Sequence, residues 1–175
     1  QGRAPEWSQE AFEAAFADAE VKIGRFNLAV FGKTGVGKST LVTAVFGSPV
    51  AATGLGKPVT RGLVYYRHPG GLLGLYDSEG FETGTSGDEI LAALRSRVAE
   101  SRSLPVDQQI HAAWYLVRWS DRRFEERQGD FVRALADLGL PVILVITQVP
   151  SRDGVPHPEA IELAQYIESL GLPLR

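Results

Sequence analysis

The sequence predicts a three-layer α/β domain with a mostly parallel central sheet, and three observations lead to this fold class. Segments with strand character alternate with segments of helical character along the 175 residues. The strands predicted near residues 26, 110 and 141 are apolar on both faces, as the strands of a covered parallel sheet are. A glycine-rich turn joins the first of these strands directly to a helix, which indicates the first unit of an α/β fold.

The predicted elements follow one another along a single domain that spans residues 1–175. A helix is expected at about residues 8–22, where Ser8 can serve as the N-cap and Phe12, Phe16 and Val21 lie roughly along one stripe. The later predictions are strands at 26–31, 63–67, 72–76, 110–117 and 141–147, helices at 38–45, 88–100, 121–138 and 159–170, and loops at 48–60 and 77–87. A further strand would be expected where the sequence ends, so we predict that the final strand is missing.

Composition restricts the class of protein before any motif is considered. Apolar residues make up 44% and charged residues 22%, which is typical of a globular protein. The net charge of −3 argues against a nucleic-acid-binding protein that depends on bulk positive charge. No cysteine is present, which excludes disulfides and cysteine metal sites. No apolar run approaches the ~18 residues of a spanning helix, so we predict no membrane span. The absence of cysteine and of a visible targeting segment leads us to expect a cytoplasmic location.

The glycine-rich turn fits the phosphate-binding P-loop pattern G-x-x-x-x-G-K-[ST] in full, from Gly32 to Ser39. Glycines allow backbone N–H groups to converge on phosphate oxygens, and the helix N-terminus adds partial positive charge. Lys38 is placed to reach the β- and γ-phosphates, and the Ser39 hydroxyl to bind Mg²⁺. The residues predicted to contact a nucleotide here are Lys33, Thr34, Gly35, Val36, Gly37, Lys38, Ser39 and Thr40.

A second motif, D-x-x-G, runs from Asp77 to Gly80 at the end of a predicted strand. In open α/β sheets, ligands bind at the carboxyl ends of the strands. At that edge Asp77 can hold Mg²⁺ through water, and the Gly80 N–H can meet a γ-phosphate. The two motifs therefore predict one site for a nucleoside triphosphate.

With these motifs, residues 26–170 resemble the small-GTPase superfamily, and more narrowly its Era-like and septin-like, translation-factor-type branch. The resemblance implies GTP or GDP as the ligand, Mg²⁺ as the cofactor, and GTP hydrolysis in a molecular switch. It assigns Thr60 to the threonine that closes on Mg²⁺ and the γ-phosphate, in preference to Thr53, because Thr60 immediately precedes a strand. The implied catalytic residues are Lys38, Thr60 and Gly80, and the implied metal-binding residues are Ser39, Thr60 and Asp77.

The sequence departs from this family at the guanine-reading motif [NT]-K-x-D, which falls at residues 147–150. Thr147 matches, Gln148 replaces the lysine that covers the base, and Pro150 replaces the aspartate that accepts the guanine N–H groups. Asp153 could substitute if the loop bends back. Thr147 and Gln148 are still predicted to contact the nucleotide, and the fifth motif is expected to be missing. A preference for guanine over adenine therefore comes from the resemblance.

A slow rate of hydrolysis is predicted, because Phe81 stands where Ras-like relatives carry the glutamine that orients water. Arg61, Arg122 and Arg123 are candidates for a charge supplied in cis or across a homodimer that forms on nucleotide. A protein effector is the other expected partner. Three alternatives stay open: a degenerate domain that binds nucleotide or dimerises without hydrolysis, an ATPase with the same P-loop, and a nucleoside kinase.

Overall fold

The computed structural model describes residues 9–46, 57–60, 63–68, 70–78 and 87–175. Its helices are α1 (Gln9–Ile23), α2 (Lys38–Phe46), α3 (Gly87–Ser101), α4 (Glu126–Asp137) and α5 (Pro158–Ser169). Its strands are β1 (Phe26–Phe31), β2 (Lys57–Thr60), β3 (Leu63–Arg67), β4 (Leu73–Asp77), β5 (Ala112–Arg118), β6 (Val142–Thr147), β7 (Ser151–Arg152) and β8 (Val155–Pro156). Short 3-10 turns lie at Val106–Gln108 and Trp119–Asp121.

Strands β1 to β6 form one sheet in the order β2-β3-β4-β1-β5-β6. The neighbours β4, β1, β5 and β6 are parallel, and β3 is antiparallel to both β2 and β4. This arrangement confirms the predicted α/β class with a mostly parallel sheet. Because β1 lies between β4 and β5, the carboxyl ends of β1 and β4 are adjacent, and Val30 is opposite Asp77.

Two apolar layers cover the faces of the sheet. The larger layer packs α3, α4 and α5 against one face, with Leu94, Leu135 and Leu163 buried there beside Phe31. The smaller layer packs α2 against the other face, where Val42 is buried with the side chains of the central strands. Helices on both faces of a mostly parallel sheet make the three layers that the alternation predicts.

Strand β6 ends the sheet at one edge and is less covered than the prediction for residues 141–147 implies. Ile143 is 38% exposed, whereas Leu116 and Val117 on the neighbouring β5 are 1% and 2% exposed. The backbone N–H of Arg175 donates to the carbonyl of Val142 over 2.9 Å. This edge position explains why an apolar strand keeps exposed side chains.

The structure differs most from the sequence-based expectation in the segments before β3, after β6 and before α4. The loop expected at 48–60 ends in β2, an edge strand. The loop after β6 contains the hairpin of β7 and β8, whose turn places Asp153 and Gly154 at φ of 52° and 78°. The helix expected from residue 121 begins at Glu126, because Arg122 adopts a left-handed φ of 50° and Glu125 forms a capping box with Gln128.

Asn27 closes the amino end of β1 with side-chain hydrogen bonds to two other segments, the turn at residues 106–109 and strand β3. Its side-chain amide donates to the carbonyls of Asp107 and Gln109 over 2.9 and 2.7 Å. Its Oδ1 accepts from the Tyr65 hydroxyl over 3.2 Å. A Cβ at Gly74 would lie 2.0 Å from that Oδ1 and 2.5 Å from the Tyr65 hydroxyl oxygen, so only glycine fits this position.

His111 completes this end of the sheet. Its Nδ1 accepts the backbone N–H of Asn27 over 2.8 Å, and its Nε2 lies 2.9 Å from the Val106 carbonyl. The two contacts together require the neutral ring with the proton on Nε2. Burial lowers the pKa of His111 below its ordinary value and outweighs the Val106 carbonyl and the Asp107 carboxylate, which favour the cation.

No helix among the described residues is long and apolar enough to cross a membrane. The assignment of all 175 residues to one domain stays a prediction.

Candidate nucleotide-binding site

The two predicted phosphate motifs lie side by side at the carboxyl edge of the sheet. The P-loop begins directly after β1, and Asp77 ends β4 beside it, opposite Val30. The Ser78 hydroxyl donates to the Val30 carbonyl over 3.1 Å and ties the two strand ends together. The sheet order, rather than the distance along the chain, therefore brings Asp77 to the P-loop.

The P-loop main chain adopts a conformation that depends on its glycines. Gly35 and Gly37 have φ of 74° and 95°, in the region that favours glycine. Gly32 is required for space, because an added Cβ would lie 2.9 Å from the Leu116 carbonyl oxygen. The Leu41 N–H donates to the Gly37 carbonyl over 2.9 Å and begins α2. The backbone N–H groups that precede it in the first turn are available to an anion.

The side chains of the P-loop point in different directions. Lys38 is half-buried, and its ammonium donates to the Gly32 carbonyl over 2.9 Å, which holds it over the turn. Ser39 and Thr40 are exposed at the start of α2, whereas Val36 is 3% exposed and packs into the smaller apolar layer. The Val36 side chain therefore belongs to the core and does not face a ligand.

The exposed side of the turn carries Thr34 and Lys33. The ammonium of Lys33 lies 3.9 Å from the Glu125 carboxylate at the start of α4. Both partners are about half exposed, so this contact contributes little to stability. It shows that the segment before α4 borders the P-loop.

Thr147 and Gln148, predicted to contact the nucleotide, bond to the P-loop itself. The Thr147 hydroxyl donates to the Val36 carbonyl, and it lies 3.4 Å from the Val117 carbonyl. The Gln148 side-chain amide donates to the Gly35 carbonyl over 2.8 Å. Gln148 has a left-handed φ of 57°. These bonds orient the Val36 and Gly35 carbonyls toward residues 147 and 148. This orientation supports a P-loop turn whose free N–H groups can face phosphate.

The loop after Gln148 does not bring Asp153 back toward the P-loop. The Pro150 carbonyl accepts the His157 N–H over 2.8 Å and closes the base of the β7–β8 hairpin. Asp153 lies in the hairpin turn with its side chain 93% exposed. The structure thus argues against the alternative in which Asp153 replaces the missing aspartate.

A cluster of side chains that the sequence did not predict borders this hairpin. The rings of Trp119 and His157 have centroids 4.9 Å apart. Arg122 lies 6.0 Å from the centre of the Trp119 ring and 2.8 Å from the Glu159 carboxylate. The positive φ of Arg122 could not be read from its residue type, so no sequence signal identified this contact.

The predicted metal ligands fit Mg²⁺ in their chemistry. Asp77 is buried, 8% exposed, and Ser39 offers a hydroxyl close to the P-loop turn. Carboxylate and hydroxyl oxygens are ligands that Mg²⁺ takes in nucleotide sites. Thr60 ends β2, where its backbone is opposite Leu63. Gly80, like Phe81, Arg61 and Thr53, lies outside the described residues.

The fold and the P-loop together define a P-loop nucleotide-binding domain. Residues 27–148 match the model of a family described as 50S ribosome-binding GTPase. Because the match covers more than half of the chain, the chain belongs to this GTPase family. The family match confirms the resemblance to small GTPases and supports binding of guanine nucleotide.

Three solved structures match this chain at low sequence identity. Toc33 from Arabidopsis thaliana, in a dimerization-deficient arginine-to-alanine mutant, matches with a TM-score of 0.60 and 19% identity over 99% of this chain and 74% of its own. Cdc11 from Saccharomyces cerevisiae matches with a TM-score of 0.49 and 18% identity over 86% of this chain and 65% of its own.

A bacterial selenocysteine-specific elongation factor, EF-Sec, matches with a TM-score of 0.48 and 15% identity over 86% of this chain and 25% of its own. This chain thus spans less than two thirds of Cdc11 and of EF-Sec. The likeness to Toc33 shows the fold. A search of curated protein sequences found no significant match.

Proposed function

We propose that this domain binds GTP and GDP with Mg²⁺ and hydrolyses GTP slowly as a molecular switch. The observation that carries the proposal is the complete P-loop between β1 and α2, with Asp77 at the neighbouring strand end. A turn with positive-φ glycines, a lysine over it and a buried carboxylate beside it suits a Mg²⁺-bound triphosphate. Membership of a GTPase family supports guanine nucleotide as the ligand.

Each part of the site has a separate role in this proposal. The backbone N–H groups of the P-loop hold phosphate oxygens, and Lys38 moves from the Gly32 carbonyl to the β- and γ-phosphates. Ser39 and Thr60 would hold Mg²⁺ directly and Asp77 through water. Held by these residues, Mg²⁺ would supply positive charge that stabilises the charge developing on the transferred phosphate. The Gly80 N–H would orient the γ-phosphate.

The turnover of the isolated domain is expected to be slow. Phe81 follows the D-x-x-G motif and has no donor or acceptor that could position the attacking water. We therefore expect a rate on the scale of the ~10⁻⁴ s⁻¹ intrinsic rate of Ras. Acceleration then needs a partner that supplies positive charge to the transition state.

We propose a second copy of this chain as that partner, with Arg123 as the residue that supplies the charge. Arg123 is exposed, two residues from Glu125, whose carboxylate faces Lys33 of the P-loop. The nearby Arg122 is engaged by Glu159, whereas Arg123 makes no ion pair within the described part of the chain. In Toc33 an arginine substitution accompanies deficient dimerization, and we extend that role to Arg123.

The test is phosphate release from Mg²⁺–GTP measured against protein concentration, after calorimetry has established binding of GDP and GTP. We expect slow release in dilute solution and a rate per molecule that rises with concentration. Arg123→Ala should abolish the rise, and Arg152→Ala, which removes an exposed arginine of the hairpin, should preserve it. A rate above about 1 s⁻¹ that is independent of concentration would contradict slow intrinsic turnover. GTP that stays bound without release would favour the degenerate domain.

A further inference from the structure

We propose, on the basis of the nucleotide binding proposed above, that the part of the site that faces the base does not discriminate strongly between purines. The substrate class is then purine nucleoside di- and triphosphates, with GDP, IDP and ADP bound at affinities within about tenfold of one another. Selectivity of this kind depends on polar groups that face the base, because a site without them rejects a wrong ligand weakly.

Guanine differs from adenine along one edge of the base. Guanine presents two adjacent N–H donors there, at N1 and N2, whereas adenine presents an acceptor at N1. A carboxylate can accept from both guanine donors and finds no such pair on adenine. A carboxylate held in place beside the base therefore gives a strong preference for guanine.

Pro150 stands at the position of that carboxylate and cannot replace it. Its side chain has no polar atom, and its carbonyl already accepts the His157 N–H over 2.8 Å. That bond closes the base of the β7–β8 hairpin. Pro150 is therefore part of a closed turn rather than a base contact.

Asp153 and Glu159 are the two acidic residues that follow Gln148 as far as the first turn of α5, and both are committed elsewhere. Asp153 lies in the hairpin turn, 93% exposed, behind two rungs that pair β7 with β8. The Glu159 carboxylate is 2.8 Å from the guanidinium of Arg122. Bringing Asp153 to the base would require the hairpin to open. Glu159 would have to leave its ion pair with Arg122, whose partly exposed partners contribute little to stability.

The amide nitrogen of Gln148 is likewise directed to the P-loop, because it donates to the Gly35 carbonyl over 2.8 Å. This bond supports the turn that contacts phosphates, and all purine nucleotides share those phosphates. The contacts that give affinity for nucleotide therefore lie on the phosphate side of the site, which does not distinguish one base from another. We therefore expect the site to bind nucleotide and to discriminate little between guanine and adenine.

The experiment compares calorimetric Kd values for GDP, IDP and ADP with Mg²⁺ on this chain and three variants. For the unaltered chain we expect Kd values within about tenfold of one another, including IDP, which lacks the N2 amino group. Pro150→Asp should tighten GDP and raise the preference for GDP over ADP by at least about tenfold, since it restores the carboxylate. Pro150→Asn has one acceptor oxygen and no charge, so it should not raise this preference by as much. Asp153→Asn should change neither affinity nor preference.

A preference of the unaltered chain for GDP over ADP clearly above tenfold would overturn the inference and leave the proposed function intact. Loss of that preference in Asp153→Asn would then identify Asp153 as the reader. If neither GDP nor ADP binds, both the inference and the proposed function fail. A circular dichroism spectrum of each variant checks its folding, and the unaltered chain decides the question even if Pro150→Asp does not fold.

Discussion

The two ends of β1 differ in whether their polar groups have hydrogen-bond partners within the protein. At the amino end, the amide and carbonyl of the Asn27 side chain and its backbone N–H are all paired with other segments of the chain. At the carboxyl end, the P-loop turns away from the sheet, and the first N–H groups of α2 have no acceptor within their own helix. One end is completed by the protein, and the other is left to be completed by an anion.

This difference separates stability from binding along a single strand. Paired polar groups inside a protein are costly to disturb, because each lost partner leaves a buried group unsatisfied. Backbone groups at a helix start can be satisfied by water or by a ligand. Substitutions at the amino end should therefore change stability, and substitutions at the carboxyl end should change affinity.

The largest effect is expected from Gly74→Ala at the amino end. The added methyl group would lie 2.0 Å from Asn27 Oδ1, so the hydrogen bonds of Asn27 must be displaced. We expect a loss of about 2–4 kcal/mol in the free energy of unfolding, from crowding and lost hydrogen bonds. Urea denaturation measures it.

The matched control is Gly129→Ala in the interior of α4. An added Cβ there makes contacts of 3.4 Å or longer, so the better helix propensity of alanine should raise stability by about 0.5–1 kcal/mol. Equal effects of the two substitutions would contradict the role given to the Asn27 contacts.

The next largest effect is expected from Lys38→Ala at the carboxyl end. A charge-assisted hydrogen bond contributes about 1.5–3 kcal/mol, so GTP binding should weaken about tenfold or more while the denaturation midpoint changes little. Calorimetry with GTP measures this change. Lys22→Ala on α1, which removes a lysine paired with Asp18, is the control and should bind as before. Unchanged affinity in Lys38→Ala would refute the site.

A smaller effect is expected from Gln148→Ala, which removes the support of the Gly35 carbonyl. Loss of one hydrogen bond of about 0.5–1.5 kcal/mol should weaken GDP and ADP equally, by roughly two- to tenfold. Gln148→Lys keeps a donor and should retain most of the affinity. A loss confined to GDP would mean that Gln148 contacts the base instead.

The smallest effect concerns pH and the amino end. The pKa of His111 is lowered in the folded chain, so the folded state binds this proton more weakly than the unfolded state. The free energy of unfolding should fall as pH decreases below about 6.5, the ordinary pKa of histidine, toward the lower folded pKa. His111→Asn keeps an acceptor without titrating, and the difference between its pH profile and that of the unaltered chain isolates His111. Superimposable profiles would contradict the assignment.

Much of the fold could be predicted because its strands are apolar runs of ordinary length. Strand β2 escaped prediction because Pro58 removes a donor and suits an edge strand that lacks a strong apolar pattern. The β7–β8 hairpin has strands of two exposed residues, so no alternation marks it, although Asp153-Gly154 is a turn signal. The start of α4 was marked by Glu125 and Gln128, three residues apart as in a capping box.

The candidate site also has some features set by local sequence and others set by tertiary structure. The P-loop could be predicted because its chemistry is local, eight residues with one conformation. The attachment of Thr147 and Gln148 to P-loop carbonyls could not, because it depends on where β6 lies relative to β1 in the sheet. The orientation of Asp153 depends on a hairpin that sequence patterns do not show. Local motifs predict the residues that face the phosphates, whereas the tertiary arrangement determines which residues lie beside the base.

The bonds from Thr147 and Gln148 to the P-loop join residues 111 and 113 positions apart in sequence. On a ribosome that adds about 5–20 residues per second, roughly 5–20 s separate the synthesis of the P-loop from that of its supports. During that interval the nascent P-loop has its motif but not the bonds that hold its carbonyls. Nucleotide binding should therefore arise late in biosynthesis, and it would indicate that β6 has joined the sheet.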